Sequence, residues 1–169
     1  MEKIKEAISN SGPLIHLSQV KCFNALKTIE KIYITNEVFN EVCSFELPGS
    51  QEVRESKIVK IKDLKHKSKD FSKLISQKYS LDLGEATSIS LAKQEKINLF
   101  LTDDLAARIV AKEFGLEVHG TVGIVLRAFR TGIFSKKRSI QIIRDLHSKS
   151  TIFITQDLVN YIIREIEKT

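Results

Sequence analysis

The sequence predicts an α/β fold with a mostly parallel central sheet and helices on both of its faces. Short β-rich segments alternate along the chain with longer segments of helical periodicity, which is typical of repeated βαβ units. The composition, with 42% hydrophobic and 28% charged residues, excludes disordered and low-complexity chains. The 169 residues suffice for one well-buried core and are too few for two ordinary domains.

Each predicted element follows from its local pattern. Strands are predicted where β-branched and aromatic residues cluster: 5–9, 32–35, 57–61, 98–102 and 116–120, with a weaker sixth at 151–155. Helices are predicted in the segments around them: 13–20, 22–29, 36–43, 69–79, 84–95, 105–115, 121–132, 137–148 and 157–168. In the helix at 105–115, for example, Leu105, Ile109, Val110 and Phe114 share one face and Gly115 ends the helix.

No internal repeat and no linker rich in Ser, Gly or Pro divides the chain, so residues 1–169 are predicted to form a single domain. The one shift in composition follows Pro48 and Gly49, which interrupt the chain before a basic strand and helix. Residues 48–79 are therefore interpreted as a basic embellishment of the same domain.

The net charge of +6 is concentrated in one segment. Residues 54–79 contain nine Lys or Arg and three Asp or Glu, so this segment carries the whole excess. One interpretation is an electrostatic contact with RNA phosphates. The alternative is a solvated, lysine-rich surface that keeps the protein soluble. The lysines expected to contact RNA under the first interpretation are Lys60, Lys62, Lys65 and Lys67.

Several functional classes lack sequence support. The longest apolar runs are far too short to span a bilayer, and the first ten residues lack the apolar core of a signal peptide, so we expect a soluble, cytoplasmic protein that does not contact membranes. Cys22 and Cys43 form no C-x-x-C pair, which argues against zinc and redox chemistry. The four histidines are isolated, and no G-x-S-x-G, Walker or dinucleotide motif occurs.

Polar side chains follow several of the predicted strands. Asn10 ends the first strand, Asp103 and Asp104 follow the fourth, and Glu85 opens a helix after Gly84. Glu41 adjoins an otherwise apolar helical stripe. Taken singly, each has an ordinary explanation: Asn10 as a turn residue or cap, Thr102 or Asp103 as a cap, Asp104 and Glu85 as first-turn acids favoured by the helix dipole, and Glu41 as a rim residue.

Taken together, these residues indicate a cation site. In a doubly wound sheet, ligands bind outside the carboxyl ends of the strands, where these side chains would meet. Carboxylates that lie close repel one another, and a hard cation such as Mg²⁺ would relieve the repulsion. Opposite them, residues Gly120 to Gly123 follow the fifth strand and start a helix, and their backbone N–H groups are expected to hold a phosphate.

Four segments resemble the PIN-domain superfamily in order and rough spacing: "ISNSGPLIHL", "YITNEVFNEV", "LDLGEATSISLA" and "LFLTDDLAARIVAKEFGLEVHGTVGIVLRA". The resemblance covers residues 7–131, and "TDDLAAR" with "GTVGIVLRA" is its most specific part. Within the superfamily the chain looks most like an uncharacterised prokaryotic branch similar to the toxin ribonucleases of toxin–antitoxin pairs.

The resemblance implies a three-layer α/β/α sandwich and cleavage of RNA with Mg²⁺ or Mn²⁺. The residues implied to hold the metal are Asn10, Glu85, Asp103 and Asp104. Those implied in catalysis are Glu41, Glu85, Asp103 and Asp104. Ser11 and Thr121 are placed to orient water or phosphate. The implied partners are RNA, an antitoxin protein and a second copy of the chain.

The first-strand position departs from the superfamily pattern. PIN nucleases typically have Asp there, whereas this chain has Asn10. An amide oxygen is a weaker ligand than a carboxylate for a hard cation, so we expect weakened metal binding. The alternative is a PIN-fold RNA-binding or protein-interaction module that lost its metal chemistry with the aspartate. The other acids persist, which favours the enzyme.

Overall fold

The computed structural model describes residues 2–46 and 48–169. Within these residues five strands form one all-parallel sheet in the order β3-β2-β1-β4-β5. The strands are β1 (Ile4–Ser9), β2 (Ile29–Ile34), β3 (Val59–Ile61), β4 (Leu99–Leu101) and β5 (Glu117–His119). All five strands were predicted from the sequence, each to within a few residues.

Helices cover both faces of the sheet. They are α1 (Ser11–Gln19), α2 (Asn36–Cys43), α3 (Ser50–Glu55), α4 (His66–Tyr79), α5 (Leu83–Glu95), α6 (Leu105–Glu113), α7 (Thr121–Arg130), α8 (Lys136–Lys149) and α9 (Gln156–Lys168). Side chains from α4, α5 and α6 form one apolar core, and the other helices contribute to the second. The predicted α/β/α sandwich with a PIN-like order of elements is thereby confirmed.

Successive strand residues alternate between the two cores. Ala7 faces one core and Ile8 the other, and Leu99 and Phe100 in β4 do the same. All four are at most 7% exposed, because helices cover the sheet on both sides. Runs that are apolar on both faces are typical of parallel sheets.

Two of the predicted elements differ from the structure. Residues 151–155 form no strand: Ile152 and Ile154 pack on the core, but the segment lies among helices and pairs with no neighbouring backbone. The apolar alternation was real, and the strand prediction was wrong because a strand also needs a pairing partner. The helix predicted at 22–29 is a 3₁₀ helix, Phe23–Thr28.

The basic segment is built into the sheet edge. β3 pairs with β2 through Ile32 and Val59, and α4 packs against α5. Helix α3, which was not predicted from the sequence, lies at the start of this segment. Cys22 and Cys43 are buried free thiols. None of the helices in the described part of the chain is long and apolar enough to cross a membrane.

The strand order reverses between β1 and β4. From β1 the chain adds β2 and β3 on one side, and then crosses over to add β4 and β5 on the other. Helix α1 leaves β1 on one face of the sheet, whereas α6 leaves β4 on the opposite face. A crevice therefore opens at the carboxyl ends of these two strands, where open α/β sheets bind their ligands.

Candidate functional site

The crevice is a cleft of about 990 Å³. Helices α1, α5, α6 and α7 begin beside it, so their N-terminal dipoles favour negative charge there. The cleft contains acids and an amide at one end: Asn10, Glu41, Asp82, Glu85, Asp103 and Asp104. Its basic residues are Arg108, Arg127 and Arg130.

Asn10 is buried at the base of the cleft. Its backbone N–H donates to Leu101 O at 3.1 Å, which extends the pairing of β1 with β4 by one residue. The side-chain Nδ2 donates to Thr102 Oγ1 at 2.7 Å. The side-chain Oδ1 is buried and has no hydrogen-bond partner among the described residues. A buried acceptor without a partner costs stability, so this oxygen is a candidate ligand atom.

Asp103 is the most fully hydrogen-bonded acid in the cleft. Its Oδ1 accepts from Thr121 N at 2.7 Å, and its Oδ2 accepts from Thr121 Oγ1 at 2.5 Å. The same Oδ2 lies 2.7 Å from His16 Nδ1. A carboxylate has about four lone-pair sites, so little capacity remains for a direct metal bond. Asp103 therefore caps α7 and fixes the His16 ring against the cleft wall.

A glycine makes this arrangement possible. A Cβ at Gly120 would lie 2.8 Å from both Asp103 Oδ1 and Arg108 Nη2. The Arg108 guanidinium donates to Thr102 O at 3.2 Å and so lies across the floor of the cleft. With no side chain at Gly120, a carboxylate and a guanidinium can both approach the backbone between β5 and α7.

Glu85 and Asp104 form the least compensated acidic pair. Asp104 caps α6 by accepting from Ala107 N at 2.8 Å. Glu85 completes a capping box with Asp82 at the start of α5. Burial, followed by the charges of Asp82 and Asp104, raises the pKa of Glu85 from 4.5 to about 7. The surroundings of the Glu85 carboxyl in the folded protein thus disfavour its ionised form.

Glu41 reaches the cleft from α2, across the first turn of α5. Burial raises the pKa of its carboxyl, and the charge of Asp82 adds to the effect. The Ser11 hydroxyl and the Gly84 N–H oppose this shift by favouring the ionised form. A Cβ at Gly84 would lie 2.7 Å from Glu41 Oε2 and closer still to Oε1. Glycine is needed at position 84 for Glu41 to enter the cleft.

The structure brings most of the sequence-predicted site residues together. Asn10, Ser11, Glu41, Glu85, Asp103, Asp104 and Gly120 all line the cleft. Thr121 is fully buried, and both its N–H and its hydroxyl donate to Asp103, which leaves neither donor for a phosphate. The structure therefore does not support Thr121 as a phosphate contact. Thr121 instead positions Asp103.

The four lysines predicted to contact RNA lie elsewhere. Lys60, Lys62, Lys65 and Lys67 do not line the cleft. Lys62 Nζ pairs with Glu95 Oε2 at 2.6 Å and lies 4.2 Å from the centroid of the Tyr33 ring. Since Glu95 is ten residues beyond Glu85 along α5, this ammonium group is on the order of 15 Å from the acidic end of the cleft.

Sequence reasoning missed other cleft residues. Asp82 had a local signal, because an Asp three residues before Glu85 is a capping-box spacing. His16 had none, since its partner Asp103 is 87 positions away. Arg127, Arg130 and Phe153 also had none, because only the packing of α7 and of the α8–α9 connection places them at the cleft.

The available donors suit a hard divalent cation. No three His, Cys, Asp or Glu side chains among residues 2–46 and 48–169 are arranged to hold a metal on their own. Mg²⁺ is usually bound by one or two carboxylates, with water and substrate phosphates completing its shell. Glu85 and Asp104 supply such a pair, and the unpartnered Asn10 Oδ1 supplies a neutral oxygen.

Comparison with known proteins identifies the family. A family model described as a PIN domain matches residues 6–168, which is almost the whole chain. Searches of curated proteins and of solved structures give no match. PIN domains are generally nucleases and typically use divalent metals. The chain has a five-stranded parallel sheet with acids gathered at its carboxyl edge. It is a member of the PIN-domain family.

Proposed function

We propose that this protein is an endoribonuclease that hydrolyses RNA phosphodiester bonds with Mg²⁺ or Mn²⁺. The observation that carries the proposal is the pair of carboxylates, Glu85 and Asp104, beside the buried and unpartnered oxygen of Asn10. Burial, and then the charges of Asp82 and Asp104, raise the pKa of Glu85, and a bound cation would offset the repulsion between these carboxylates. The PIN-domain fold supports the choice of phosphodiester chemistry.

The proposed roles follow from the contacts. Glu85 and Asp104 hold the cation, Asn10 adds a neutral oxygen, and Glu41 is the neighbouring acid that can orient water. Asp103, with both oxygens engaged, fixes α7 and His16. Arg108 holds a positive charge on the cleft floor. When bound, the cation would lower the pKa of a water molecule and neutralise phosphate charge, so the protein needs no nucleophile of its own.

The test is replacement of Glu85 or Asp104 by the corresponding amide. Glu85→Gln and Asp104→Asn should each abolish Mn²⁺-dependent cleavage of a labelled single-stranded RNA. Both amides can accept the capping hydrogen bonds that the acids accept, so the fold should survive. Glu113→Gln, at the exposed far end of α6, is the matched control and should cleave normally. Full cleavage by Asp104→Asn would contradict the proposal.

Thermal unfolding of the same variants gives a second readout. Between pH 4.5 and about 7, folded Glu85 keeps a proton that the unfolded chain releases. Raising the pH through this range therefore destabilises the folded state. With a chelator at pH 8, Glu85→Gln should be more stable than the wild type by about 1 kcal/mol, after allowance for partial exposure. The two proteins should unfold alike at pH 4.5.

A role as the toxin of a toxin–antitoxin pair stays a hypothesis beyond this chemistry. It requires a small partner protein, encoded in a neighbouring reading frame, that binds this chain and inhibits RNA cleavage. Co-expression of that reading frame, followed by a cleavage assay, tests the hypothesis. Sedimentation of the purified chain tests the expected homodimer.

A further inference from the structure

Phe153 is the most exposed large apolar side chain in the described part of the protein, at 91%. It lies in the connection between α8 and α9 and lines the same cleft as the acids. Because the ring adds nothing to the core and lies within the cleft, it is available for contact with another molecule.

The backbone around Phe153 is held firmly. Thr151 donates from its N–H and its hydroxyl to Gln19 Oε1, at 2.9 and 3.1 Å. His147 Nδ1 donates to Ile154 O at 2.9 Å. Ile152 and Ile154 pack on the core on either side. Because Ile152 and Ile154 pack on the core, the side chain between them, Phe153, points outward. The backbone on either side of Phe153 is held by the hydrogen bonds of Thr151 and Ile154.

Positive charge accompanies this ring. Arg127 and Arg130, in the last turn of α7, line the cleft together with Phe153. Arg127 Nη2 donates to Glu2 O at 2.6 Å, which anchors that side chain, and Arg130 is exposed. Nine residues separate Thr121 from Arg130, so α7 extends about 14 Å from the acidic end of the cleft.

A cleft that holds both an exposed aromatic ring and arginines fits single-stranded nucleic acid. Bases stack on aromatic side chains, and cations hold the phosphates between them. In a duplex the bases are already stacked on one another, so this arrangement favours unpaired bases.

We propose that Phe153, Arg127 and Arg130 form a nucleotide subsite that stacks one base of single-stranded RNA and holds its phosphate at the last turn of α7, about 14 Å from the acidic end of the cleft. This proposal rests on the proposed ribonuclease function and adds the residues that position the strand: Phe153 and the arginines of α7, along which unpaired RNA leaves the acidic end. Stacking on Phe153 sets the register of the strand relative to Glu85 and Asp104.

The chain contains no tryptophan, which allows a direct test. Phe153→Trp introduces a single fluorophore at the subsite. Titration with an oligouridine of about 12 nucleotides, within the usual range of single-strand site sizes, should quench its fluorescence. The titration contains a chelator, so no cleavage occurs. Phe45→Trp is the matched control, because Phe45 is 80% exposed and lies outside the cleft; its fluorescence should not change.

Affinity provides the second arm. By fluorescence anisotropy, Phe153→Ala should bind the labelled oligouridine about tenfold more weakly, whereas Phe153→Trp should bind as the wild type does. Arg130→Gln should reduce the slope of log affinity against log salt by about 0.7, and Phe153→Ala should leave that slope unchanged. Phe45→Ala should change neither quantity.

The outcomes separate this proposal from the proposed activity. If the wild type does not cleave RNA but Phe153→Ala loses binding as described, the subsite stands and the ribonuclease assignment fails. If Phe153→Ala binds oligouridine as tightly as the wild type, the subsite proposal is wrong and the exposed ring serves contact with a protein. Equal quenching of Phe153→Trp by a blunt RNA duplex would also overturn the proposal.

Discussion

Asn10 is the residue at which this chain departs most clearly from the PIN-domain pattern. The structure places its amide in the cleft that Glu85 and Asp104 also line; Nδ2 donates to Thr102, and Oδ1 has no hydrogen-bond partner in the described part of the chain. In the absence of metal, an amide at this position is less destabilising than a carboxylate. It adds no negative charge to a cluster in which the pKa of Glu85 is already raised. The cost is a neutral ligand where a carboxylate would bind a cation more tightly.

Replacement of Asn10 by Asp tests this account. The new carboxylate should tighten Mn²⁺ binding by roughly tenfold to a hundredfold, which is about 1.4 to 2.8 kcal/mol. In the metal-free protein it should lower stability by about 1 to 3 kcal/mol, because Asn10 is 5% exposed and the donor to Thr102 is lost. Added Mn²⁺ should reverse that loss. Melting curves of both proteins, with and without Mn²⁺, measure both effects.

Asn24→Asp makes the same chemical change at an exposed position on the 3₁₀ helix and should alter neither quantity. If Mn²⁺ shifts the melting temperatures of Asn10→Asp and of the wild type equally, the amide does not face the ion. The metal site would then have to be placed without Asn10.

At the scale of single elements, the first turn of α5 is the junction on which the acidic end depends. Asp82 and Glu85 cap this turn reciprocally, and Gly84 between them leaves room for the Glu41 carboxylate. One short sequence, Asp82 to Glu85, thus starts the helix, supplies two acids of the cleft and leaves room for a third, Glu41. The helix dipole favours all three carboxylates at this end of α5.

Gly84→Ala should disturb this junction. Alanine is ordinarily better than glycine within a helix by about 0.5–1 kcal/mol. Here its Cβ would collide with Glu41, so we expect a net loss of roughly 1–3 kcal/mol in the free energy of unfolding, together with reduced RNA cleavage. In a Glu41→Ala background the same substitution should instead stabilise the protein. Urea unfolding of the four proteins measures this coupling.

Gly123→Ala is the matched control, because Gly123 lies in the first turn of α7 and its added Cβ would make only an ordinary contact, 3.9 Å from His119 Cβ. If Gly84→Ala proves as stable as Gly123→Ala, then Glu41 does not need the space above α5, and its place in the site is wrong.

At the scale of the whole molecule, charge is divided between two surfaces. The cleft holds acids and three arginines, whereas the lysine segment of residues 54–79 lies at the opposite edge of the sheet from β5. Lys60, Lys65 and Lys67 are exposed there, while Lys62 is paired with Glu95. The proposal that this segment attracts RNA therefore concerns long-range electrostatics, separate from the contacts made in the cleft.

Neutralising Lys60, Lys65 and Lys67 to Gln should reduce the salt slope of RNA binding by about 2, since each phosphate contact with a single strand contributes about 0.7. Lys62 is left in place to preserve its ion pair. The control replaces Lys5, Lys27 and Lys31, which are exposed near the amino ends of β1 and β2, and removes the same charge. If the two triple variants give equal salt slopes, the lysine segment does not bind RNA and serves as a solubilising surface.

The local sequence was enough to predict much of the fold. Every strand of the sheet was located from its β-rich pattern, and the residues that follow β1 and β4 indicated where a site would form. Each of these signals lies within a short stretch of chain, because periodicity, caps and strand ends are local properties. The strand predicted at 151–155 was wrong because pairing depends on which backbone lies alongside, and in this protein helices lie there.

The sequence by itself determined the α/β class, the strand positions and the acids that gather at one sheet edge. Only the tertiary structure decided how those acids differ. Asp103 is engaged by His16 and Thr121, which come from distant parts of the chain, whereas Glu85 lies close enough to Asp104 for the charge of Asp104 to help raise its pKa, after burial and the charge of Asp82. Sequence spacing carries no record of such contacts, since the packing of α1, α5 and α7 around the strand ends creates them. The same packing sets Phe153 and the arginines of α7 at the edge of the cleft.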